Sequence, residues 1–191
     1  DAYNVAVGYN AGLAMTTGTE NTIIGGLAGD ALTTGSQNIA IGYAALGSED
    51  TGSRNIAIGR GALGALNNDA NSYNIGIGHS AGAAVTTGIR NVLIGGLAGD
   101  ALTTGGNNIA IGYEALTTED GDGRNIAIGT NSLQNLNAGS DAYNVAVGFA
   151  SGAAMTTGVQ NTIVGAQAGD ALTTGSYNTV FGYEALTTED A

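Results

Sequence analysis

The sequence predicts an all-β parallel β-solenoid, a β-roll of about eleven stacked coils. Three observations lead to this fold: a motif Asn-x-x-x-Gly that occurs eleven times, a spacing of 17 or 19 residues between motifs, and a second period of 70 residues. A unit this short cannot be a helical repeat, which needs more than about 30 residues. Each unit therefore corresponds to one β-rich coil.

The whole chain, residues 1–191, is predicted to be one repetitive segment. Unit lengths run 17, 17, 17 and 19 and then begin again, which defines super-repeats 4–73 and 74–143 and a partial one, 144–191. DAYNVAVGYNAGLAMTTG near the start returns as DAYNVAVGFASGAAMTTG from Asp141. Units correlated at two periods do not arise by chance, so the repeat defines the fold.

Each motif is predicted to be a short strand, because Val and Ile are frequent between its Asn and its Gly. We expect the glycine to end the strand where the backbone needs a positive φ or approaches a neighbour closely. The Thr-Thr-Gly segment makes a second corner. Coils stacked at about 4.8 Å pair each strand with the next and form a rod of roughly 50 Å. The corner glycines are Gly8, Gly25, Gly42, Gly59, Gly78, Gly95, Gly112, Gly129, Gly148, Gly165 and Gly182.

The asparagine that opens the motif is present in every unit. Stacked in register, its side-chain amide can bond the next asparagine or the backbone of a corner. The simpler interpretation is that each asparagine only tolerates a turn, but its presence in all units favours a ladder. The predicted ladder consists of Asn4, Asn21, Asn38, Asn55, Asn74, Asn91, Asn108, Asn125, Asn144, Asn161 and Asn178.

Alternation along the strand predicts two faces. Val5 and Val7 share one face, which we expect to be the coil interior, and Ala6 takes the other. The second face is small or apolar in every unit, so we expect it to pack on another copy of the chain, near the axis of a homotrimer. An apolar outer wall of a single solenoid is the alternative. The predicted chain–chain interface is Ala6, Ile23, Ala40, Ala57, Gly76, Leu93, Ala110, Ala127, Ala146, Ile163 and Val180.

Composition excludes several classes of function. The chain has four Lys and Arg residues against sixteen acids, a net charge of −12, so binding to nucleic acid is not expected. No cysteine is present, which removes disulfides and thiol-ligated metals. No apolar run approaches the ~18 residues of a membrane span, so no membrane insertion is predicted.

No catalytic constellation is visible, and we predict that the chain is not an enzyme. His79, the only imidazole, occupies a position held by Tyr43 or Arg60 in other units, which favours a solvent-exposed side chain over a catalytic one. Glycine-rich stretches such as IGGLAGD lack the Gly-Lys-[Ser/Thr] ending of a phosphate loop.

No cofactor is predicted, and one corner is a weak candidate for Ca²⁺. Glu119, Asp120 and Asp122 lie on a glycine-containing loop, and clustered carboxylates can bind this ion. Arg124 stands where a further ligand would help, and the loop matches no known calcium motif. A solvated acidic corner is therefore favoured.

Two side-chain arrays could bind a ligand along the rod. Thr-Thr pairs recur at 16–17, 33–34, 86–87, 103–104, 156–157 and 173–174, and a flat threonine array can bind ice. Adjacent residues of a strand face opposite ways, which argues against this. The aromatic residues that follow the corner glycines could stack on sugars, although packing across the corner or on another chain is favoured. They are Tyr9, Tyr43, Tyr113, Phe149 and Tyr183.

Strands of the form Asn-[Val/Ile/Thr]-[Ala/Ile]-[Ile/Val]-Gly-Tyr-x-Ala, joined to Thr-Thr-Gly corners, resemble two families. Asn-x-Ala-Ile-Gly is similar to the head repeat of trimeric autotransporter adhesins, a left-handed parallel β-roll that trimerises. The longer pattern NVAVGYNAGLAMTTGTENTIIG resembles more closely the repeats of phage tail fibres and related bacterial surface fibres. The period of 17 to 19 residues is longer than that of the autotransporter head.

The resemblance implies an extracellular fibre shaft of a phage tail fibre, which holds a receptor-binding tip away from the particle. A bacterial surface adhesin or extracellular filament is the alternative, and an ice- or glycan-binding solenoid is a second. The implied partners are further copies of the chain, as a homotrimer or filament, and a host-surface glycan or receptor. The implied location is a virion tail fibre or a cell surface.

Overall fold

The computed structural model describes residues 2–121 and 123–188 and confirms the parallel β-solenoid. Eleven strands of three residues stack in chain order into one parallel sheet. We number the coils 1 to 11 by the motif asparagine that opens each. The strands are β1 (Val5–Val7), β2 (Thr22–Ile24), β3 (Ile39–Ile41), β4 (Ile56–Ile58), β5 (Ile75–Ile77), β6 (Val92–Ile94), β7 (Ile109–Ile111), β8 (Ile126–Ile128), β9 (Val145–Val147), β10 (Thr162–Val164) and β11 (Thr179–Phe181).

The strand register does not change along the rod. The middle residue of every strand pairs with the middle residue of the next, including the step from β4 to β5, which closes a 19-residue coil. The two extra residues of that coil are accommodated at its far corner, where Ser53 forms an isolated bridge with Asn71. Length differences are therefore absorbed outside the sheet, and the strands keep their alignment.

The middle residue of each strand points into the coil, so the interface predicted for this column is wrong. Leu93, Ala110 and Ala127 have no solvent exposure, because side chains of the same chain enclose them. Ala6 is exposed in β1, which pairs on one side only, whereas Val180 in β11, at the other end of the sheet, is 6% exposed. The column that lines the interior, and is not available to another chain, is Ile23, Ala40, Ala57, Gly76, Leu93, Ala110, Ala127, Ala146, Ile163 and Val180.

In the coil interior, the size of the middle strand residue is complementary to the size of the residue that faces it. In coils 2 and 6 the strand carries Ile23 or Leu93, and a Cβ added at the facing glycine would lie 3.0 Å from Ile23 Cδ1 or 2.8 Å from Leu93 Cδ2. In coil 3 the strand carries Ala40, and the facing position holds Leu46, also fully buried. In each of these coils a large side chain faces a small residue, as dense packing of the core requires.

The corner glycines are required by conformation and by close approach. Their φ values lie between 126° and 141°, a region that other residues rarely adopt. A Cβ added at Gly25 would lie 2.5 Å from the carbonyl oxygen of Gly42 in the next coil. Coils 1 to 10 each have at least three further positions with left-handed backbone, and many of these hold non-glycine residues such as Arg90 (φ 59°) and Leu97 (φ 59°). Stacking therefore stabilises a backbone that costs about 1 kcal/mol per such residue.

Candidate functional site

The motif asparagines form a hydrogen-bonded column inside the rod. The backbone N–H of Asn21 donates to Oδ1 of Asn4 at 2.8 Å, and the equivalent bond occurs at all ten steps between coils. Nδ2 of Asn21 donates to the carbonyl of Gly35, at the Thr-Thr-Gly corner of the same coil, at 2.9 Å. The amide thus joins neighbouring coils and also closes its own coil.

The first and third residues of each strand face outward, in two columns that run the length of the sheet. We call these two columns the outer sheet face. It carries Val, Ile, Thr and Phe and no charged residue in any strand. Most of its side chains are half-buried by their neighbours in the stack. The face is more exposed in the two end strands, where Val5, Val7 and Phe181 are 49%, 57% and 82% exposed. The outer sheet face is thus an apolar surface that the rod itself does not cover. The sequence predicted that these residues, such as Val5 and Val7, face the coil interior, and that prediction is wrong.

Among the described residues, two carboxylates lie in the core at the position where other coils have leucine, methionine or valine. Glu49 is fully buried in coil 3 and takes the place of Leu32 in coil 2. Its Oε1 accepts the N–H of Gly52 at 2.8 Å, and its Oε2 accepts the N–H of Asn68, in the longer coil 4, at 3.2 Å. Burial raises the pKa of Glu49, and these backbone hydrogen bonds oppose that rise. Glu119 is buried at the equivalent position of coil 7.

The structure changes the interpretation of the acidic corner considered for calcium. Glu119 points into the core, and Asp120 accepts hydrogen bonds from Thr103 through its backbone carbonyl. Asp122 lies outside the described residues. Within residues 2–121 and 123–188, no group of three His, Cys, Asp or Glu side chains is arranged to hold a metal ion. The buried glutamate was missed, although its 70-residue recurrence just before the longer unit was visible in the sequence.

The four arginines lie in two rows that border the outer sheet face. In the first row, Arg54, Arg90 and Arg124 each precede a motif asparagine. Arg54 donates hydrogen bonds to the Tyr73 hydroxyl and to Gln37 Oε1, both at 2.9 Å. Arg124 forms an ion pair with Asp141. The fourth, Arg60, lies in the row that follows the corner glycines.

The same row as Arg60 holds His79 and the five aromatic residues considered for sugars. His79 is exposed, and its Nε2 lies 3.5 Å from Arg60 Nη1. The aromatic residues are 52% to 77% exposed. All of these side chains are accessible on one edge of the rod.

The threonine pairs are used within the rod. The first hydroxyl of a pair donates to a backbone carbonyl of the next coil, as in Thr16 to Thr33 at 3.1 Å and Thr86 to Thr103 at 3.1 Å. The second threonine of each pair is exposed. The two hydroxyls of a pair therefore do not present one flat array.

Comparison of the chain with models of known protein families, with curated proteins and with solved structures gives no match. Over the part of the chain that the structure describes, no helix has the length and apolar character to cross a membrane.

Proposed function

We propose that the chain is the shaft of an extracellular fibre, as in a phage tail fibre, which self-associates through its outer sheet face into a homotrimer. The observation that carries the proposal is that this face has no charged residue and is predominantly apolar along all eleven strands. Soluble monomers rarely expose a continuous apolar patch beyond a few hundred Å². A second or third copy laid along the same face would remove it from water.

The distribution of charge supports association through this face. All sixteen acids of the chain lie outside the two outer strand columns. With a net charge of −12, most other surfaces of two copies would repel each other. The outer sheet face is the surface on which copies can meet without bringing carboxylates together.

A mechanical role follows from the stack itself. Backbone hydrogen bonds join each coil to the next at the strand, at the corner glycine and at the threonine corner, as in Gly25 N–H to Val7 O at 2.8 Å and Thr16 N–H to Thr33 O at 2.9 Å. Such a rod would hold a binding tip at a fixed distance. The hydrogen bonds between coils would resist unfolding of any single coil within the stack. A shaft of about 50 Å corresponds to the eleven coils of this chain.

The test is the molar mass in solution, measured by light scattering after size-exclusion chromatography. We expect about three times 18.6 kDa for the unmodified chain. The double variant Ile58→Asp and Ile111→Asp places charges on the half-buried outer face and should give monomers. The control Thr34→Asp and Thr87→Asp adds the same charges at exposed corner positions and should leave the assembly intact. A monomeric unmodified chain, or a control that dissociates equally, would refute the proposal.

A further inference from the structure

The five aromatic residues that follow corner glycines form a row with regular spacing along the rod. We call Tyr9, Tyr43, Tyr113, Phe149 and Tyr183 the aromatic strip. They lie in coils 1, 3, 7, 9 and 11, so any two of them are an even number of coil-to-coil steps apart. With about 4.8 Å per coil, neighbouring rings are about 10 Å apart, or twice that between coils 3 and 7. This spacing is the length of two linked pyranose rings in an extended β-1,4-linked glycan.

The rings are held against the rod and remain exposed. A Cβ added at Gly26 would lie 3.6 Å from Tyr43 Cδ2, and one added at Gly96 would lie 3.4 Å from Tyr113 Cδ2. Because the preceding coil has glycine at this position, the aromatic ring packs in the space that a side chain would otherwise occupy. Tyr43 and Tyr113 are nevertheless 53% and 52% exposed. A ring fixed in this way loses little conformational freedom when a ligand stacks on it.

Polar groups in the same row can bind the hydroxyls of a stacked sugar. The guanidinium carbon of Arg60 lies 5.8 Å from the centroid of the Tyr43 ring, and His79 lies next to it. Thr130 occupies the same row between Tyr113 and Phe149. Aromatic rings with hydrogen-bonding side chains beside them are typical of carbohydrate sites, because sugars present apolar ring faces and polar edges.

Two carboxylates beside the strip, against the single cation Arg60, favour an uncharged ligand over an anionic one. The adjacent carboxylate of Glu114 raises the pKa of the Tyr113 hydroxyl, and Glu184 acts in the same way on Tyr183. These carboxylates, together with the net charge of −12, would repel sulfated, phosphorylated or uronic-acid chains. They can accept hydrogen bonds from neutral sugar hydroxyls.

We propose that the aromatic strip binds an extended, neutral, β-linked polysaccharide along the side of the rod. This function is additional to the shaft role, and the strip occupies a row that borders the outer sheet face without being part of it. The shaft would then contact its target along its length as well as through a tip.

The test is isothermal titration of the complete chain with cellohexaose and with the hexamer of β-1,4-linked N-acetylglucosamine, and with maltohexaose as the α-linked comparison. At least one β-linked hexamer should bind, with maltohexaose binding about tenfold more weakly or not at all. If no β-linked hexamer binds at millimolar concentration, or if maltohexaose binds equally well, the proposal is wrong.

Two double variants locate the site. Tyr113→Ala with Phe149→Ala removes two neighbouring strip rings and should weaken binding about tenfold per ring. Tyr73→Ala with Tyr143→Ala removes two equally exposed rings, 48% and 51%, from the row on the opposite edge and should leave the affinity unchanged. Circular dichroism and molar mass verify that both variants fold. Equal losses in the two variants would assign the binding to another surface.

Discussion

Coils 1 and 9 carry the same strand sequence, Asn-Val-Ala-Val-Gly, but their side chains lie in different environments. Ala146 in coil 9 has no solvent exposure, whereas Ala6 in coil 1 is exposed. The difference arises because coil 9 lies between two coils and coil 1 contacts only coil 2. Burial in this molecule is a property of position in the stack, and the local sequence does not determine it.

The largest expected difference comes from a charge at the centre of the strand. Ala146→Asp places a carboxylate in a dry core without a partner and should lower the free energy of unfolding by about 4 kcal/mol. Ala6→Asp makes the same change in the same sequence context at an exposed position and should cost less than about 0.5 kcal/mol. Urea denaturation followed by circular dichroism measures both. Similar losses would mean that coil 1 is covered in solution.

The next difference concerns the corner glycines. Gly42→Ala combines an unfavourable φ of 132° with a Cβ placed 2.5 Å from the Gly59 carbonyl oxygen, and we expect a loss of about 3 kcal/mol. Gly182→Ala has a similar φ of 126°, but the nearest atom to its added Cβ is 3.8 Å away. Its loss should be about 1 kcal/mol. The same denaturation experiment applies, and equal losses would show that conformation alone requires the glycine.

A smaller difference is expected for the asparagine column. Asn91→Ala removes the acceptor of the buried Asn108 N–H and the donor to the Gly105 carbonyl, each at 2.9 Å, and should cost about 2 kcal/mol. Asn178 lies in the last coil, where its Nδ2 makes only a 3.3 Å bond to Ser176 O among the bonds described for it. Asn178→Ala should cost about 0.5 kcal/mol. Thermal denaturation gives the ranking, and a larger effect at Asn178 would contradict the ladder's role in joining coils.

The smallest expected effect is a pH dependence from Glu49. Because its pKa is raised in the folded chain, the folded state binds more protons than the unfolded state between pH 4.5 and the raised value. The free energy of unfolding should therefore fall as pH rises through that window. Glu49→Gln keeps the shape of the side chain and should flatten the profile, so the difference between the two urea curves isolates this group. Identical pH profiles for the two proteins would show that Glu49 does not titrate in this window.

The sequence was sufficient for the number of coils, their boundaries and the residues at the corners, because spacing of Asn and Gly depends only on the repeat. The sidedness of the strand was predicted the wrong way round. Alternation shows that Val5 and Ala6 face opposite sides, but both columns are apolar, so polarity did not identify the interior. The signal lay in size: where the strand carries Ile23 or Leu93, the residue six positions later is Gly29 or Gly99. Such compensation occurs between side chains that share a core.

The left-handed positions could not be predicted from residue type. Glycine occupies some of them, but others hold arginine, leucine, tyrosine or glutamate, which carry no preference for that conformation. The coil-to-coil hydrogen bonds impose these backbone angles, and a single unit has no such neighbours. The aromatic strip was visible as a row of residues, but its spacing along the rod needed the constant register that the structure supplies.

The identical register at the two 19-residue coils has an evolutionary consequence. The step from β4 to β5 matches the step from β8 to β9, since Ile56 pairs with Ile75 as Ile126 pairs with Val145. A gene duplication that inserts one more 70-residue block would therefore meet compatible surfaces on both sides. Each insertion would lengthen the rod by four coils, or about 19 Å. The length of the rod can therefore change by recombination in equal increments, and the contacts between coils stay the same.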